Sequence, residues 1–190
     1  MDTSNSIARY APERELPPYT YVSGRFAHPI SDPRGHSYGA RRIDTSPADS
    51  DRWKESGTYC YGVDLFNFGY YWEAHETWEA LWHAAGRTGN DATFFQGLIK
   101  LAAAGVKLRE GNDRGLQRHA LRAGELFRQI SNVQSRYFGL TMNDLIAGAD
   151  DLAEKPPYNA SGSPESVRPI MGFRLEPGGS PSVRRLNQTI

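Results

Sequence analysis

Apolar side chains in the middle of the chain recur every three or four residues, which is the spacing of one face of an α-helix. One such run contains Phe94, Phe95, Leu98, Ile99, Ala102 and Val106. Another steps alternately by four and three residues and contains Leu116, Ala120, Ala123, Phe127 and Ile130. We see no stretch with the strict alternation of a half-buried strand. The pattern therefore predicts an all-α fold.

Capping residues, glycines and prolines divide this region into five predicted helices. Their predicted spans are Pro47 to about Phe66, Tyr70 to Ala85, Asn90 to Gly111, Asn112 to near Gly139, and Thr141 to just before Pro156. The first start rests on Ser46 as N-cap, with Pro47 in the first turn and Asp49 as the capping partner. Short connections bring consecutive helices side by side, so we expect an antiparallel bundle of about five helices.

All 12 prolines lie outside residues 48–155. Because proline interrupts helices, the flanking stretches are predicted to be extended Pro-rich arms. The predicted organisation is an arm over residues 1–45, a helical bundle domain over 46–155 and a Pro/Gly-rich C-terminal tail over 156–190. A solvated arm seldom carries as many aromatic residues as residues 10–42 do, so we expect the first arm to pack on the bundle.

Composition narrows the function classes. The chain has 22 basic and 22 acidic residues, and a neutral chain lacks the positive field that attracts nucleic acid or an anionic membrane surface. The sequence contains no apolar run of membrane-spanning length and begins without a secretory signal, which predicts a cytoplasmic protein. Its single cysteine, Cys60, excludes an internal disulfide and a cysteine-based zinc cage.

The second predicted helix carries the strongest candidate chemistry. At about 100° per residue, His75 and Glu79 fall inside an apolar arc that Trp72 and Trp82 would line. An ionisable pair buried there needs hydrogen bonds or a bound ion, and at the i, i+4 spacing two helical side chains can ligate one metal ion. Residues 55–86 contain five acidic side chains and no Lys or Arg. These features predict a pocket for a divalent metal ion or a small ligand.

Two ligands do not complete a metal site, because zinc takes three protein ligands in catalytic sites and four in structural ones. The candidates for additional site residues are His28, His36, Asp64, Asn67 and Gln96. The alternative interpretation is structural. In it, His75 and Glu79 form a buried hydrogen-bond network, completed by Gln96 or Asn67, which fixes the register of the helices without any ligand.

Three separated motifs resemble the bacterial and archaeal family called domain of unknown function 309. They are Tyr71 to Trp82, Phe95 to Ile99, and Gly111-Asn112. The resemblance covers roughly residues 57–130, and His75, Glu79 and Trp82 match the family signature of His, three residues, Glu, two residues, then Trp or Tyr. It implies a helical fold and a metal site, but no reaction. Residues 26–37 resemble the N-terminal extension of longer members.

The resemblance also draws attention to Lys100 and Lys107, at positions where members of the family commonly carry other polar residues. If these lysines face the pocket, their ammonium groups oppose a cation and suit an anion. A second basic feature is the set of arginines spaced every four residues on the fourth predicted helix: Arg114, Arg118 and Arg122. We interpret that set as a solvated helix face rather than as an anion-binding stripe.

Two functions therefore stay open. One is a helical protein whose His75/Glu79 pocket binds a divalent metal ion or small ligand, with hydrolytic chemistry in which Glu79 is base or ligand. The other is a non-catalytic binding or scaffold module in which the same pair is structural. The sequence names no substrate and no oligomeric state, and it leaves open whether the protein is an enzyme.

Overall fold

The computed structural model describes residues 8–40, 45–157 and 167–179. Within them the chain forms five α-helices: α1 (Gly57–Phe68), α2 (Tyr71–Ala84), α3 (Gly89–Arg109), α4 (Asp113–Ser131) and α5 (Met142–Glu154). A 3-10 turn (Trp53–Glu55) precedes α1, and two short strands, β1 (Arg136–Tyr137) and β2 (Leu140–Thr141), join α4 to α5. The all-α helical bundle predicted from the apolar periodicity is confirmed.

Parts of the two predicted arms lie outside the described residues. These parts are residues 1–7 and 41–44 of the N-terminal arm and residues 158–166 and 180–190 of the C-terminal tail. In the ranges that are described, no helix combines the length and the apolar character needed to cross a membrane.

The central helix of the bundle is α3. Both α2 and α4 pack on α3, while α1 packs on α2 and α5 packs on α4. Two glycines of α3 allow aromatic rings to approach its backbone, since a Cβ on Gly105 would lie 2.5 Å from the Tyr71 ring and one on Gly97 would lie 2.5 Å from the Phe127 ring. These two contacts fix the heights of α2 and α4 against α3.

The link between α4 and α5 corrects two predictions. Helix α4 ends at Ser131 rather than near Gly139, and residues 136–141 form a short antiparallel hairpin where no strand was expected. Phe138 and Gly139 both have positive φ, 47° and 73°, which is the conformation of a tight two-residue hairpin turn. The Phe138 ring stacks on Phe94 with centroids 5.0 Å apart, so its burial offsets the strain of a left-handed backbone. A strand of two residues is too short to show the alternation of apolar and polar residues by which strands are predicted from sequence.

Helix α1 begins at Gly57, so the predicted start at Pro47 is wrong. Ser56 is the N-cap, and its side chain accepts a hydrogen bond from the backbone amide three residues on, at 3.3 Å. The carboxylate of Asp49 instead accepts a hydrogen bond from the amide of Asp51 at 2.9 Å. Such a local turn satisfies the backbone in a way that competes with helix formation.

The described part of the N-terminal arm is anchored to α1 through Asp64. This carboxylate is buried completely and accepts three hydrogen bonds, from Arg9 Nε at 2.8 Å and from the backbone amides of Tyr10 at 2.7 Å and Ala11 at 2.9 Å. Because a buried carboxylate is costly unless it is paired and hydrogen-bonded, these contacts explain how the carboxylate is held inside the protein.

Residues 167–179 pack on α1 and α2. The Asn67 side chain exchanges two hydrogen bonds with the backbone of Leu175, donating to its carbonyl and accepting from its amide, both at 2.8 Å. At the start of α2, the Tyr71 hydroxyl accepts hydrogen bonds from the amides of Ile170 and Met171. Segments from both ends of the chain therefore lie against the α1–α2 hairpin.

Candidate metal centre

Helix α2 buries only one side of its predicted apolar arc. Its most buried apolar side chains are Tyr71, Ala74, Trp78 and Leu81, which lie on one stripe facing the core. His75 and Glu79 lie at the edge of that stripe and are half-buried, with 29% of the His75 side chain exposed. The expectation of a buried His75/Glu79 pair is therefore corrected, because both residues lie where the core meets the surface.

A third acidic side chain completes a compact group on this edge. His75, Glu76 and Glu79 each offer one ligand atom, and the three atoms all lie within 4.8 Å of one another. The group comes from one turn of α2, at positions i, i+1 and i+4. One imidazole nitrogen with two carboxylates is a donor set that suits divalent metals such as zinc or manganese.

The His75 imidazole has an unsatisfied nitrogen. Its Nδ1 is buried and makes no hydrogen bond within the described residues, although Glu76 Oε1 lies 3.5 Å away. That contact does not satisfy the nitrogen, because 3.5 Å is at the limit of hydrogen bonding. An unsatisfied buried nitrogen costs roughly 1–3 kcal/mol, and a ligand at that atom would remove the cost.

The alternative interpretation required a hydrogen-bond network around His75 and Glu79, and the described residues do not form one. No hydrogen bond joins His75 to Glu79, and none joins Gln96 to either residue within the part of the chain that the structure describes. The Asn67 amide is occupied by the backbone of Leu175. The polar atoms of the pair are therefore left for water or a ligand.

The other candidate site residues lie elsewhere. Asp64 is bound to Arg9, and His28 Nδ1 accepts hydrogen bonds from the amides of Ile30 and Ser31, both at 3.3 Å. The rings that were expected to line the pocket also pack differently. Trp72 contacts the rings of Tyr21 and His28, with both centroid distances at 5.3 Å, whereas Trp82 lies beside His83 and Arg87.

His36 leads to a second polar cluster on α2, centred on Glu73. This carboxylate is only 5% exposed and accepts hydrogen bonds from the Thr20 hydroxyl and the Tyr21 amide, both at 2.8 Å, while His36 Nε2 lies 3.3 Å from Oε1. At about 100° per residue Glu73 falls outside the apolar arc of α2, so sequence reasoning missed it. The only indication in the sequence that part of α2 is covered was the aromatic-rich arm, which was expected to pack on the bundle.

Positively charged groups on α3 and α4 lie within electrostatic range of His119. Lys100 and Lys107 occupy half-buried positions on α3, and Lys107 Nζ forms an ion pair with Glu110 at 2.6 Å. Burial lowers the pKa of His119 on α4, and the nearby charges of Lys100, Arg118, Lys107 and His75 lower it further. The lysines singled out in the sequence therefore lie within electrostatic range of His119, which itself lies within range of His75.

Comparison with known proteins agrees with the resemblance seen in the sequence. No curated protein matches the chain. The family model described as "Domain of unknown function (DUF309)" matches residues 59–119, a range that contains the candidate ligands on α2, both lysines of α3 and His119. The structure extends on both sides of this range, with α5 and the two end segments lying beyond it. Residues 59–119, about a third of the 190-residue chain, therefore match the DUF309 family.

Proposed function

We propose that the protein binds a divalent metal ion through His75, Glu76 and Glu79. The observation that supports this proposal is the convergence of three ligand atoms within 4.8 Å of one another, one of them belonging to an imidazole that has a buried, unpartnered nitrogen. Two carboxylates balance the charge of a divalent ion, which reduces the opposition expected from the nearby lysines. Glu76 supplies the third ligand, in place of the more distant candidates.

The proposed reaction class is metal-assisted hydrolysis. Three protein ligands leave at least one coordination position free for water or substrate, as in catalytic zinc sites. A bound metal ion lowers the pKa of its water so that hydroxide is available near neutral pH. The half-buried position of the three ligands on the helix surface keeps that position accessible to a substrate from solution. In this arrangement Glu79 acts as a ligand rather than as a general base.

The first test is the metal content of untagged, full-length protein purified without chelator. We expect about one zinc or manganese ion per chain by elemental analysis, together with a rise in melting temperature when metal is added, since ligands that bind the native state stabilise it. His75→Gln and Glu76→Gln should each reduce the content to below about 0.1 per chain. Glu125→Gln, an exposed acid on α4 paired with Arg122, is the matched control and should retain the metal.

Two results would reject the proposal. One is wild-type protein with less than about 0.1 metal per chain and no thermal shift with zinc, manganese or nickel. The other is bound metal that is retained equally by His75→Gln, Glu76→Gln and the Glu125→Gln control. If the metal is bound, release of a chromogenic product from ester and phosphoester substrates, lost on Glu76→Gln, tests the hydrolytic part separately.

A further inference from the structure

The candidate metal ligands belong to a longer half-buried stripe on one face of α2. Its members follow one another by three, one, three and three residues: Trp72, His75, Glu76, Glu79 and Trp82. The N-terminal arm covers one end of the stripe, where the rings of Tyr21 and His28 pack on Trp72. At the other end, the ring contacts of Trp82 to described residues are with His83 and Arg87 rather than with the arm. A molecule bound at the ligands can therefore extend along the stripe towards Trp82.

Arg87 returns to this end of the stripe from the turn that follows α2. Helix α2 ends at Ala84, and Gly86 and Arg87 follow it with positive φ, 74° and 63°. The Arg87 amide donates to the carbonyl of Trp82 at 3.2 Å, so the chain folds back on the last turn of the helix. Arginine rarely adopts this backbone conformation, and here it brings the side chain back over the end of α2.

Neutral groups hold the Arg87 guanidinium in place. Its Nε donates to His83 Nδ1 at 2.8 Å, and its Cζ lies 5.5 Å from the centroid of the Trp82 ring. Because the arginine Nε is a donor, His83 Nδ1 is the acceptor and the imidazole is neutral. No described acidic side chain lies within ion-pair distance of Arg87, and its two Nη groups make no hydrogen bond to a described residue. The positive charge is therefore oriented but not compensated.

Helix geometry sets the separation between this charge and the metal ligands. His75 and Trp82 are seven residues apart, which is nearly two turns, so they are aligned and about 10 Å apart along the axis. A ligand that contacts both a metal ion and Arg87 uses about 2 Å of this distance for the metal–oxygen bond and about 3 Å for the hydrogen bond. About 5 Å is left between its two end groups, which is the length of a chain of four or five carbons.

We propose that Arg87 binds the carboxylate of a short-chain ligand whose other end reaches the metal ion. This proposal rests on the proposed metal site and deepens it by naming the ligand class, a small dicarboxylate or an acyl compound that carries a carboxylate. One guanidinium matches a carboxylate in charge and donates to both of its oxygens through paired N–H groups. A phosphoryl dianion calls for a second cation, and α2 contains no Lys or Arg.

The test uses glutarate as the probe and pentanoate as its control, since pentanoate has the same chain length with a methyl group in place of one carboxylate. Each is titrated by calorimetry into the full-length protein, first with EDTA and then with zinc. With zinc, glutarate should bind about tenfold more tightly than pentanoate, because its second carboxylate reaches Arg87. Arg87→Gln should remove this preference. Arg14→Gln is the matched control and should retain it, because Arg14 also lies over a ring, 4.0 Å from that of Tyr61, but on α1.

The two conditions separate this proposal from the metal proposal. Zinc binding combined with equal affinity for glutarate and pentanoate, or with the same preference in Arg87→Gln and Arg14→Gln, overturns the role of Arg87 and leaves the metal site standing. If zinc does not bind, the proposed function fails. The Nε–H resonance of Arg87 in EDTA then decides, because a saturable shift with glutarate supports the carboxylate site and no shift overturns it. Inorganic phosphate that binds through Arg87 more tightly than glutarate overturns the assignment to a carboxylate.

Discussion

Replacing Glu73 by alanine should detach the N-terminal arm from α2. In the wild type, this buried carboxylate accepts hydrogen bonds from the Thr20 hydroxyl and the Tyr21 amide and faces the His36 imidazole. Thr20 is itself 1% exposed, so water does not readily replace the lost acceptor. Alanine therefore removes all of these polar contacts at once and leaves their donors without partners.

The expected loss follows from these contacts. Each buried donor left unsatisfied costs roughly 1–3 kcal/mol, and breaking a buried charged cluster by removing one partner costs about 3–5 kcal/mol. We expect Glu73→Ala to lower the free energy of unfolding by about 3–5 kcal/mol. Glu73→Gln keeps the shape and an acceptor oxygen, so its cost should be nearer 1–2 kcal/mol, roughly the worth of one charged hydrogen bond.

Urea unfolding in EDTA measures these differences, and native-state hydrogen exchange locates them. The matched control is Glu76→Ala, one turn along α2, whose half-exposed carboxylate is expected to contribute under about 1 kcal/mol without metal. The Tyr21 amide should lose its protection in Glu73→Ala and keep it in the control. A cost for Glu73→Ala below about 1 kcal/mol, or an unchanged Tyr21 amide, would refute the view that Glu73 fastens the arm.

Three further predictions concern the packing, the thiol and the pH response. Gly105→Ala should cost about 1–3 kcal/mol in urea unfolding, because its Cβ would overlap the Tyr71 ring, whereas Gly57→Ala, with open space around it, should cost less than about 1 kcal/mol. Burial raises the pKa of Cys60 to about 11 from 9.0, so alkylation by iodoacetamide near neutral pH should be about 100-fold slower than for an exposed cysteine peptide; equal rates would contradict this. Because burial and nearby cations lower the pKa of His119 from 6.5, the unfolded state binds protons more readily, and stability should fall as the pH drops below 6.5, less steeply in His119→Gln.

Local pattern was sufficient to predict the bundle. The runs on α3 and α4 repeat over several turns, so the helices and the residues that face the core follow from spacing alone. Helix α5 begins directly after Thr141, its predicted start, although the Thr141 side chain makes no capping hydrogen bond. Contacts between distant parts of the chain have no such periodicity. Nothing in the neighbourhood of Asn67 indicates that its amide will bind Leu175, 108 residues away. For the same reason, Asn67 was taken for a candidate site residue.

The site was predictable only in part. The i, i+4 spacing identified His75 and Glu79, but Glu76 falls outside the apolar arc of the same helix and was not singled out. A helical pattern divides positions into buried and exposed ones. Half-buried positions at the edge of a core stripe fit neither class, so the pattern predicts them least well. Glu73 shows a second reason, since its burial comes from the arm and not from the helix bundle. A helical wheel contains no information about a segment that packs on it from elsewhere in the chain.

The attachment of both end segments to α1 and α2 has a consequence for the order of folding. Connections of three or four residues join α2 to α3 and α3 to α4, whereas the Arg9–Asp64 and Asn67–Leu175 contacts close loops of 55 and 108 residues. The entropy lost on closing a loop grows with its length, so we expect the helices to assemble first and the end segments to dock after the rate-limiting step. Substitutions at Arg9 or Leu175 should therefore accelerate unfolding while leaving the folding rate nearly unchanged.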